Sequence, residues 1–304
     1  MMRSLKLSLT TLTIAALLAA CNPATTFQSS PSPTTPTTQA TPTAVSRVVA
    51  LTSLSADIVH NLNPDKLVGV PGSRLLRQNP DLAKLPQVSE GQTPPNLEKI
   101  VALKPDLVIG AAGFHDQVLG RLKSMGIATL MTQVNTWRSL EDLTKTLAAK
   151  LQADPTPLLQ TYQSFLTPKP DQTASTLVLV SHQPILAPNK TSWAGDLLTQ
   201  FQVNNVIANL QGQSPIQGYV TLSPEKVLET NPDILILVDP GDGTVEKLKS
   251  APFWNKLKAV SSDRVYVFDY YGLVNPGSID AIEKACQQLK QVFATQSRSS
   301  ASPR

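Results

Sequence analysis

From residue 47 onward, apolar runs of strand length alternate with stretches that have helical periodicity. The first series reads "RVVALT", "LSADIVHNL", "LVGV", "DLVIG", a helical stretch near Gln117 to Met125, and "TLMTQ". The second reads "TLVLVS", "WAGDLLTQF", "DILILV", a helical stretch from Thr244 to Lys249, "RVYVF" and a long C-terminal helix. Strands that alternate with helices predict mainly parallel sheets covered by helices on both faces.

The stretch between the two series contains no strand-like run. Leu140, Leu143, Leu147 and Leu151 recur at helical spacing. Pro155 and the proline two residues later interrupt this pattern and predict a bend or break. The chain is therefore predicted to be an α/β protein with two Rossmann-like lobes joined by one long α-helix. The predicted boundaries are 46–135 for the first lobe, 136–168 for the connector and 174–297 for the second lobe.

Two segments have nearly the same sequence, "NLEKIVALKPDLVI" at residues 96–109 and "SPEKVLETNPDILI" at residues 223–236. Each begins with a residue type that caps helices, Asn96 or Ser223. Glu98 and Glu225 fall in the first turn, where the helix dipole favours a carboxylate. Each helix should end before its proline. Similar spacing between "RVVALT" and "TLVLVS" predicts two lobes of similar topology, although a single chance repeat is an alternative.

The N-terminal region has the pattern of an export signal. Arg3 and Lys6 precede an apolar run that is short for a membrane span and ends in Leu18-Ala19-Ala20-Cys21. This pattern resembles the lipobox of bacterial lipoproteins, so residues 1–21 are predicted to be a signal peptide and Cys21 to carry a lipid. The alternative is an ordinary cleaved signal with a chance cysteine.

Both ends of the chain are predicted to be disordered. Residues 22–45 are rich in Thr, Pro and Ser and are predicted to form a tether, and residues 298–304 a tail. If extended, a tether of roughly 23 residues would reach about 70 Å.

Composition and motifs exclude several classes of function. The 304 residues are 41% hydrophobic and 16% charged with a net charge of +4, and no Lys/Arg cluster indicates nucleic-acid binding. After Cys21, only Cys286 remains, so an internal disulfide is impossible, and Cys286 is predicted to be a packed helix residue.

Enzyme motifs such as G-x-S-x-G, H-E-x-x-H and C-x-x-C are absent, and three scattered histidines do not form a metal motif. A binding protein is therefore favoured over an enzyme or a purely structural envelope lipoprotein, with no catalytic residue and no intrinsic cofactor.

Five stretches resemble the iron–siderophore and cobalamin-binding proteins of ABC importers. They are "RVVALTSLSADIVHNLNPDKLVGV", "PNLEKIVALKPDLVIGAAG", "SWAGDLLTQFQVNNVIANL", "LSPEKVLETNPDILIL" and "FWNKLKAVSSDRVYVFD". The resemblance runs from about Arg47 to about Phe293. It implies a ligand in the cleft between two lobes and an ABC permease and ATPase as partners. The chain is also predicted to be a monomer. It also implies that Glu98 and Glu225 pair with arginines of the permease, whereas each alone is an ordinary first-turn acid.

Candidate ligand contacts lie at strand ends and in the loops after them. They are Arg74, Arg77, Phe114, His115, His182, Trp193, Tyr219, Tyr270 and Tyr271. Large aromatic side chains suit a bulky, flat chelate, and arginine suits an anionic one. For Trp193, packing at a helix start is the alternative.

A ferric siderophore is the favoured ligand. A corrinoid is less favoured because "SEGQTPP" and "GAAGF" lack the tryptophans of cobalamin-binding relatives. Haem stays open, with His115 or a tyrosine as its axial ligand.

Overall fold

The computed structural model describes residues 45–90, 93–167, 174–212, 214 and 216–299. The predicted signal peptide with Cys21 and nearly all of the predicted tether lie outside these residues. The predicted tail lies outside them from residue 300, and its first two residues continue the last helix. No helix among the described residues has the length and apolar character needed to cross a bilayer.

The first lobe contains a five-stranded parallel sheet in the order β3-β2-β1-β4-β5. Its strands are β1 (Val48–Ala50), β2 (Leu67–Gly72), β3 (Gln87–Glu90), β4 (Leu107–Ala111) and β5 (Ala128–Thr132). Its helices are α1 (Ser53–Leu62), α2 (Pro80–Ala83), α3 (Leu97–Ala102) and α4 (Asp116–Ser124). All residues of β1 are buried, as expected for a central strand with helices on both faces. The sequence pattern did not predict β3, a short edge strand.

The connector consists of two helices, α5 (Trp137–Leu151) and α6 (Thr156–Phe165), where one continuous helix was the simplest prediction. Helix α5 ends because Gln152 adopts a left-handed conformation, with φ of 54°. Pro155 then precedes the first residue of α6. The break lies where the two prolines predicted an interruption.

The second lobe contains a parallel sheet in the order β12-β11-β6-β9 and a separate antiparallel sheet in the order β10-β8-β7. The strands are β6 (Ser175–Leu179), β7 (Ser181–His182), β8 (Ile185–Pro188), β9 (Asn204–Asn205), β10 (Tyr219–Leu222), β11 (Ile234–Asp239) and β12 (Val265–Asp269). The helices are α7 (Trp193–Gln200), α8 (Pro224–Thr230), α9 (Thr244–Lys249), α10 (Lys258–Ser261), α11 (Tyr270–Leu273) and α12 (Ile279–Ser299). The pattern missed the antiparallel sheet because its strands are short and because β10 pairs with β8 across about thirty residues.

The two similar segments form corresponding parts of the two lobes. Asn96 and Ser223 accept hydrogen bonds from the third backbone N–H of α3 and α8, as helix caps do. Both helices are followed by a left-handed residue directly before the proline, Lys104 with φ of 48° and Asn231 with φ of 32°. The strands that follow, β4 and β11, pair in parallel with the first strands of their lobes, β1 and β6. The lobes therefore share this unit of topology.

The aspartate after each proline ties the repeated unit to the start of its lobe. The Asp106 carboxylate accepts the backbone N–H groups of Ser46 at 2.7 Å and Arg47 at 2.9 Å. The Asp233 carboxylate accepts the backbone N–H of Ser175 at 2.9 Å and its hydroxyl at 2.8 Å. Both aspartates thus hold the chain where it enters a central strand, and this contact explains the shared Pro-Asp pair.

We predict that Asp233→Asn destabilises the fold in a pH-dependent way. Hydrogen bonds from Lys258, whose Nζ lies 2.6 Å away, and from Ser175 lower the pKa of Asp233 to about 2. A carboxyl whose folded pKa is depressed stabilises the fold above its unfolded pKa of about 4, and this contribution is lost as the pH falls toward the folded value. The variant should therefore lose about 1–2 kcal/mol of unfolding free energy at pH 7, and the difference should shrink below about pH 4.

Urea unfolding of both chains at several pH values measures this difference. Asp65→Asn is the matched control, because Asp65 is exposed and its carboxylate has no hydrogen bond or ion pair within the described part of the chain. Equal stability of wild type and Asp233→Asn at pH 7 would show that the contact contributes nothing.

Candidate functional site

Loops at the carboxyl ends of the two parallel sheets contact each other. Arg74 follows β2 of the first lobe, and Tyr271 follows β12 of the second. The Arg74 guanidinium carbon lies 5.2 Å from the centre of the Tyr271 ring, a cation–π distance. A Cβ placed on Gly277 would lie 2.8 Å from Cδ1 of Leu75, so the backbone of one lobe packs directly on a side chain of the other. Ligands of open α/β sheets bind at such strand ends.

Three tyrosines, Tyr219, Tyr270 and Tyr271, form what we name the tyrosine cluster. The rings of Tyr270 and Tyr271 are 5.4 Å apart and nearly perpendicular. Tyr219 lies in β10 opposite Pro188 and is 8% exposed. Burial raises the pKa of Tyr219, with a further contribution from Tyr270, and burial also raises the pKa of Tyr270. These two hydroxyls are therefore neutral near pH 7 and offer hydrogen bonds and aromatic surface, not phenolate charge.

Trp193 is buried, and its predicted contact with the ligand stays a prediction. Trp193 is 4% exposed, and its indole N–H donates a hydrogen bond to the carbonyl of Gly272 at 2.8 Å. Its ring stacks on Trp137 with 6.0 Å between centroids. Trp193 begins α7, and this apolar first turn packs into the core, as the alternative interpretation held.

The other candidates are placed at strand ends without joining the tyrosine cluster. Phe114 is 87% exposed on the turn after β4, and Arg77 is exposed in the short turn after β2. The Nδ1 atom of His182 lies 3.3 Å from Oγ1 of Thr244. In the described residues no hydrogen bond or ring contact links Phe114, Arg77, His115 or His182 to the cluster, so their ligand role stays a prediction.

His115 is arranged unlike a histidine that binds metal. Its Nδ1 accepts the backbone N–H of Ala111 at 2.9 Å. Burial lowers the pKa of His115, partly offset by Asp116, so the ring is neutral near pH 7 with its proton on Nε2. A metal-ligating histidine normally donates its second N–H, leaving a free lone pair for the metal. In this arrangement His115 is a poor axial ligand.

Several residues near Tyr271 were not predicted. A small cavity of about 100 Å³ lies between the lobes, lined by Leu75, Gln78, Tyr271, Asp280, Lys284 and other residues of β12 and α12. A larger hollow of about 310 Å³ beside α5 contains none of the candidate contacts; its lining residues are Trp137, Arg138, Glu141, Asp142, Lys145 and Gln200. Among these unpredicted residues, only Gln78 had a sequence signal of a place near the site, because it lies in the same loop as Arg74.

The described residues contain no group of three or more His, Cys, Asp or Glu side chains that could hold a metal ion.

Glu98 and Glu225 are exposed first-turn acids without ion pairs in the part of the chain that the structure describes. The lysine that follows each one pairs with a different acid. Lys99 Nζ lies 3.5 Å from Glu90, and Lys226 Nζ lies 2.9 Å from Glu229. Hydrogen bonds from its own backbone N–H and from Ser223 lower the pKa of Glu225. Both lobes thus present an accessible acid at the start of the repeated helix.

Comparison with known proteins gives consistent matches over most of the chain. A family model described as "Periplasmic binding protein" matches residues 48–271. The chain is 26% identical over 272 residues to a vitamin B12-binding protein of Vibrio cholerae serotype O1, covering 84% of this chain and 93% of that protein. It is 26% identical over 241 residues to the Fe(3+)-citrate-binding protein YfmC of Bacillus subtilis, covering 73% of each. The crystal structure of the periplasmic vitamin B12 binding protein BtuF of Vibrio cholerae matches with a TM-score of 0.62 and 25% identity, covering 82% of this chain and 98% of that one.

Proposed function

Because the chain belongs to the periplasmic binding protein family, we propose that it is the substrate-binding protein of an ABC importer and binds a metal chelate between its lobes. The contact of Arg74 with Tyr271 carries this proposal, since it brings the carboxyl ends of two sheets together around aromatic side chains. The relatives are named as binding proteins, which supports a role without catalysis.

We propose a bulky chelate of low net charge, either a corrinoid or an uncharged ferric siderophore. The vitamin B12-binding relatives support the corrinoid, and the Fe(3+)-citrate-binding relative supports an iron chelate. The cluster supplies ring faces and neutral hydroxyls, with the cation of Arg74 beside them and Lys284 and Asp280 in the adjoining cavity. Asp239, Asp242 and Asp269 lie at the same ends of β11 and β12 and would repel a polyanion. This charge balance disfavours ferric citrate itself.

Haem is the less supported ligand of this class. The proton on Nε2 of His115 occupies the lone pair that an axial histidine needs. The raised pKa values of Tyr219 and Tyr270 oppose the phenolate form that would bind ferric iron.

We predict that Tyr271→Ala weakens chelate binding about tenfold, while Tyr271→Phe binds nearly as wild type. A tenfold loss corresponds to about 1.4 kcal/mol, the contribution expected of an aromatic contact. The measurement is a thermal-shift panel of cyanocobalamin, uncharged ferric hydroxamates, ferric citrate and haem, followed by titration of the ligand that stabilises the chain. Ligand at 100 times its dissociation constant should add about 2.7 kcal/mol of stability.

Stabilisation by ferric citrate alone would contradict the proposed charge preference. Stabilisation by none of the four would contradict the proposed ligand class. Equal affinity of wild type and a folded Tyr271→Ala chain would move the site away from the tyrosine cluster.

Glu98 and Glu225 are proposed to dock the two lobes on arginines of the permease. We predict that Glu98→Arg/Glu225→Arg abolishes most uptake, because like charges would then face each other across the interface. Ligand affinity should change less than about threefold, or about 0.7 kcal/mol, since in the described part of the chain neither acid has a hydrogen bond or ion pair with the tyrosine cluster. Uptake and binding are measured on the same chains.

Asp65→Arg/Asp263→Arg is the control for the change in net charge, and it should leave uptake unchanged. These exposed acids precede β2 and β12, so they lie at the amino ends of the parallel strands. The proposed docking acids lie at the opposite, carboxyl ends. Normal uptake by the Glu98→Arg/Glu225→Arg chain would show that both glutamates are ordinary helix-end residues without a docking role.

The chain is proposed to be anchored in the cell envelope, facing the periplasm, by a lipid on Cys21. The Leu18-Ala19-Ala20-Cys21 pattern supports this proposal, and these positions lie outside the described residues. We predict that Cys21→Ser abolishes palmitate labelling and retention in the membrane fraction. Cys286→Ser should retain both, because the Cys286 thiol is buried and burial raises its pKa to about 12. Labelled Cys21→Ser chains would refute the anchor.

A further inference from the structure

The loop that carries Tyr270 and Tyr271 has an irregular backbone. Tyr271 has an extended ψ of 136°, and Gly272 has a φ of 93°, so the chain leaves helical geometry where the ring of Tyr271 is oriented. Gly272 has no room for a side chain, since a Cβ would lie 2.0 Å from the carbonyl oxygen of Ala281. The Gly272 N–H donates to the carbonyl of Asn275 at 2.7 Å. The direction of the Tyr271 ring therefore depends on how Gly272 is held.

Trp193 binds the other polar group of Gly272. Its indole N–H donates to the Gly272 carbonyl in a buried hydrogen bond of 2.8 Å. The Trp193 ring is fixed in turn by stacking on Trp137, the first residue of the connector. The backbone N–H of Trp137 donates to the carboxylate of Asp196 at 2.7 Å, which locks the connector to α7. A continuous set of contacts thus joins the connector to the loop of the tyrosine cluster.

We propose that Trp193 is a positioning residue for ligand recognition and acts through Gly272 without touching the ligand. Its N–H holds the peptide between Gly272 and Leu273, so that Tyr271 faces Arg74 and Tyr270 stays beside it. Without this donor, the buried carbonyl of Gly272 would lack a partner, and the backbone would rotate to find one. The part of the proposal that concerns affinity rests on the proposed function. The part that concerns the loop does not.

The first test needs no ligand. The benzothiophene analogue of tryptophan has nearly the same shape and lacks the N–H, so it is introduced at position 193. Hydrogen exchange should become about tenfold faster in a peptide spanning residues 270–278 and stay unchanged in peptides from the first lobe. The same analogue at position 254 is the control, because Trp254 is half-buried and its indole N–H has no hydrogen bond among the described residues. Unchanged exchange at 270–278 overturns the proposal.

The second test distinguishes positioning from general stability. With cyanocobalamin or an uncharged ferric hydroxamate as the probe, the analogue at position 193 should weaken binding about tenfold. In a Tyr271→Ala chain the same replacement should add little, because its effect passes through that ring. Additive losses would assign Trp193 a purely structural role and overturn the proposal.

The two tests fail in distinguishable ways. If neither probe binds wild type while exchange at 270–278 accelerates, the proposed ligand is wrong and the positioning of the loop stands. Trp193→Phe, which also lacks the N–H, is a second variant with the same expected results in both tests.

Discussion

The structure depends on one apolar core that passes from the first lobe through the connector into the second. Val48 of β1, Leu147 of α5, Val178 of β6 and Ile236 of β11 all belong to it and are fully buried. Close-packed interiors deform little, so this core fixes how the two sheets face each other. The backbone N–H of Ile279, at the start of α12, donates a buried hydrogen bond of 2.7 Å to the Asp57 carboxylate of α1. The meeting of Arg74 with Tyr271 follows from this arrangement.

The repeated segment combines a structural acid and an accessible acid in one short unit. In each lobe the aspartate after the proline accepts hydrogen bonds from residues at the start of a central strand. The glutamate in the first helical turn has no ion pair among the described residues, because the adjacent lysine binds another acid. The same segment therefore builds the fold and leaves one charge per lobe for a partner, which fits the proposed docking on a permease.

Trp137 of the connector and Trp193 of α7 have a different part in the structure from the tyrosine cluster. Trp137 and Trp193 form a buried stack that holds the backbone, whereas Tyr271 is half-buried beside Arg74 and Tyr219 is nearly covered. An aromatic side chain near a strand end can therefore either support the backbone, as Trp193 does, or contact a ligand, as is proposed for Tyr271. The hydrogen bond from Trp193 to Gly272 and the stack of Trp193 on Trp137 connect the loop of the tyrosine cluster, the proposed ligand site, to the connector.

The sequence by itself determined the alternation of strands and helices, the two lobes, the break near Pro155 and the caps at Asn96 and Ser223, because these follow from periodicity and from the conformational limits of single residues. It also identified the loops at the strand ends. Only the tertiary structure decided that Trp193 is buried, that β10 pairs with β8, and that Tyr271 meets Arg74. These facts depend on contacts between residues far apart in the chain. Local patterns carry no information on such contacts, since a tryptophan has the same periodicity whether it faces a ligand or a neighbouring helix.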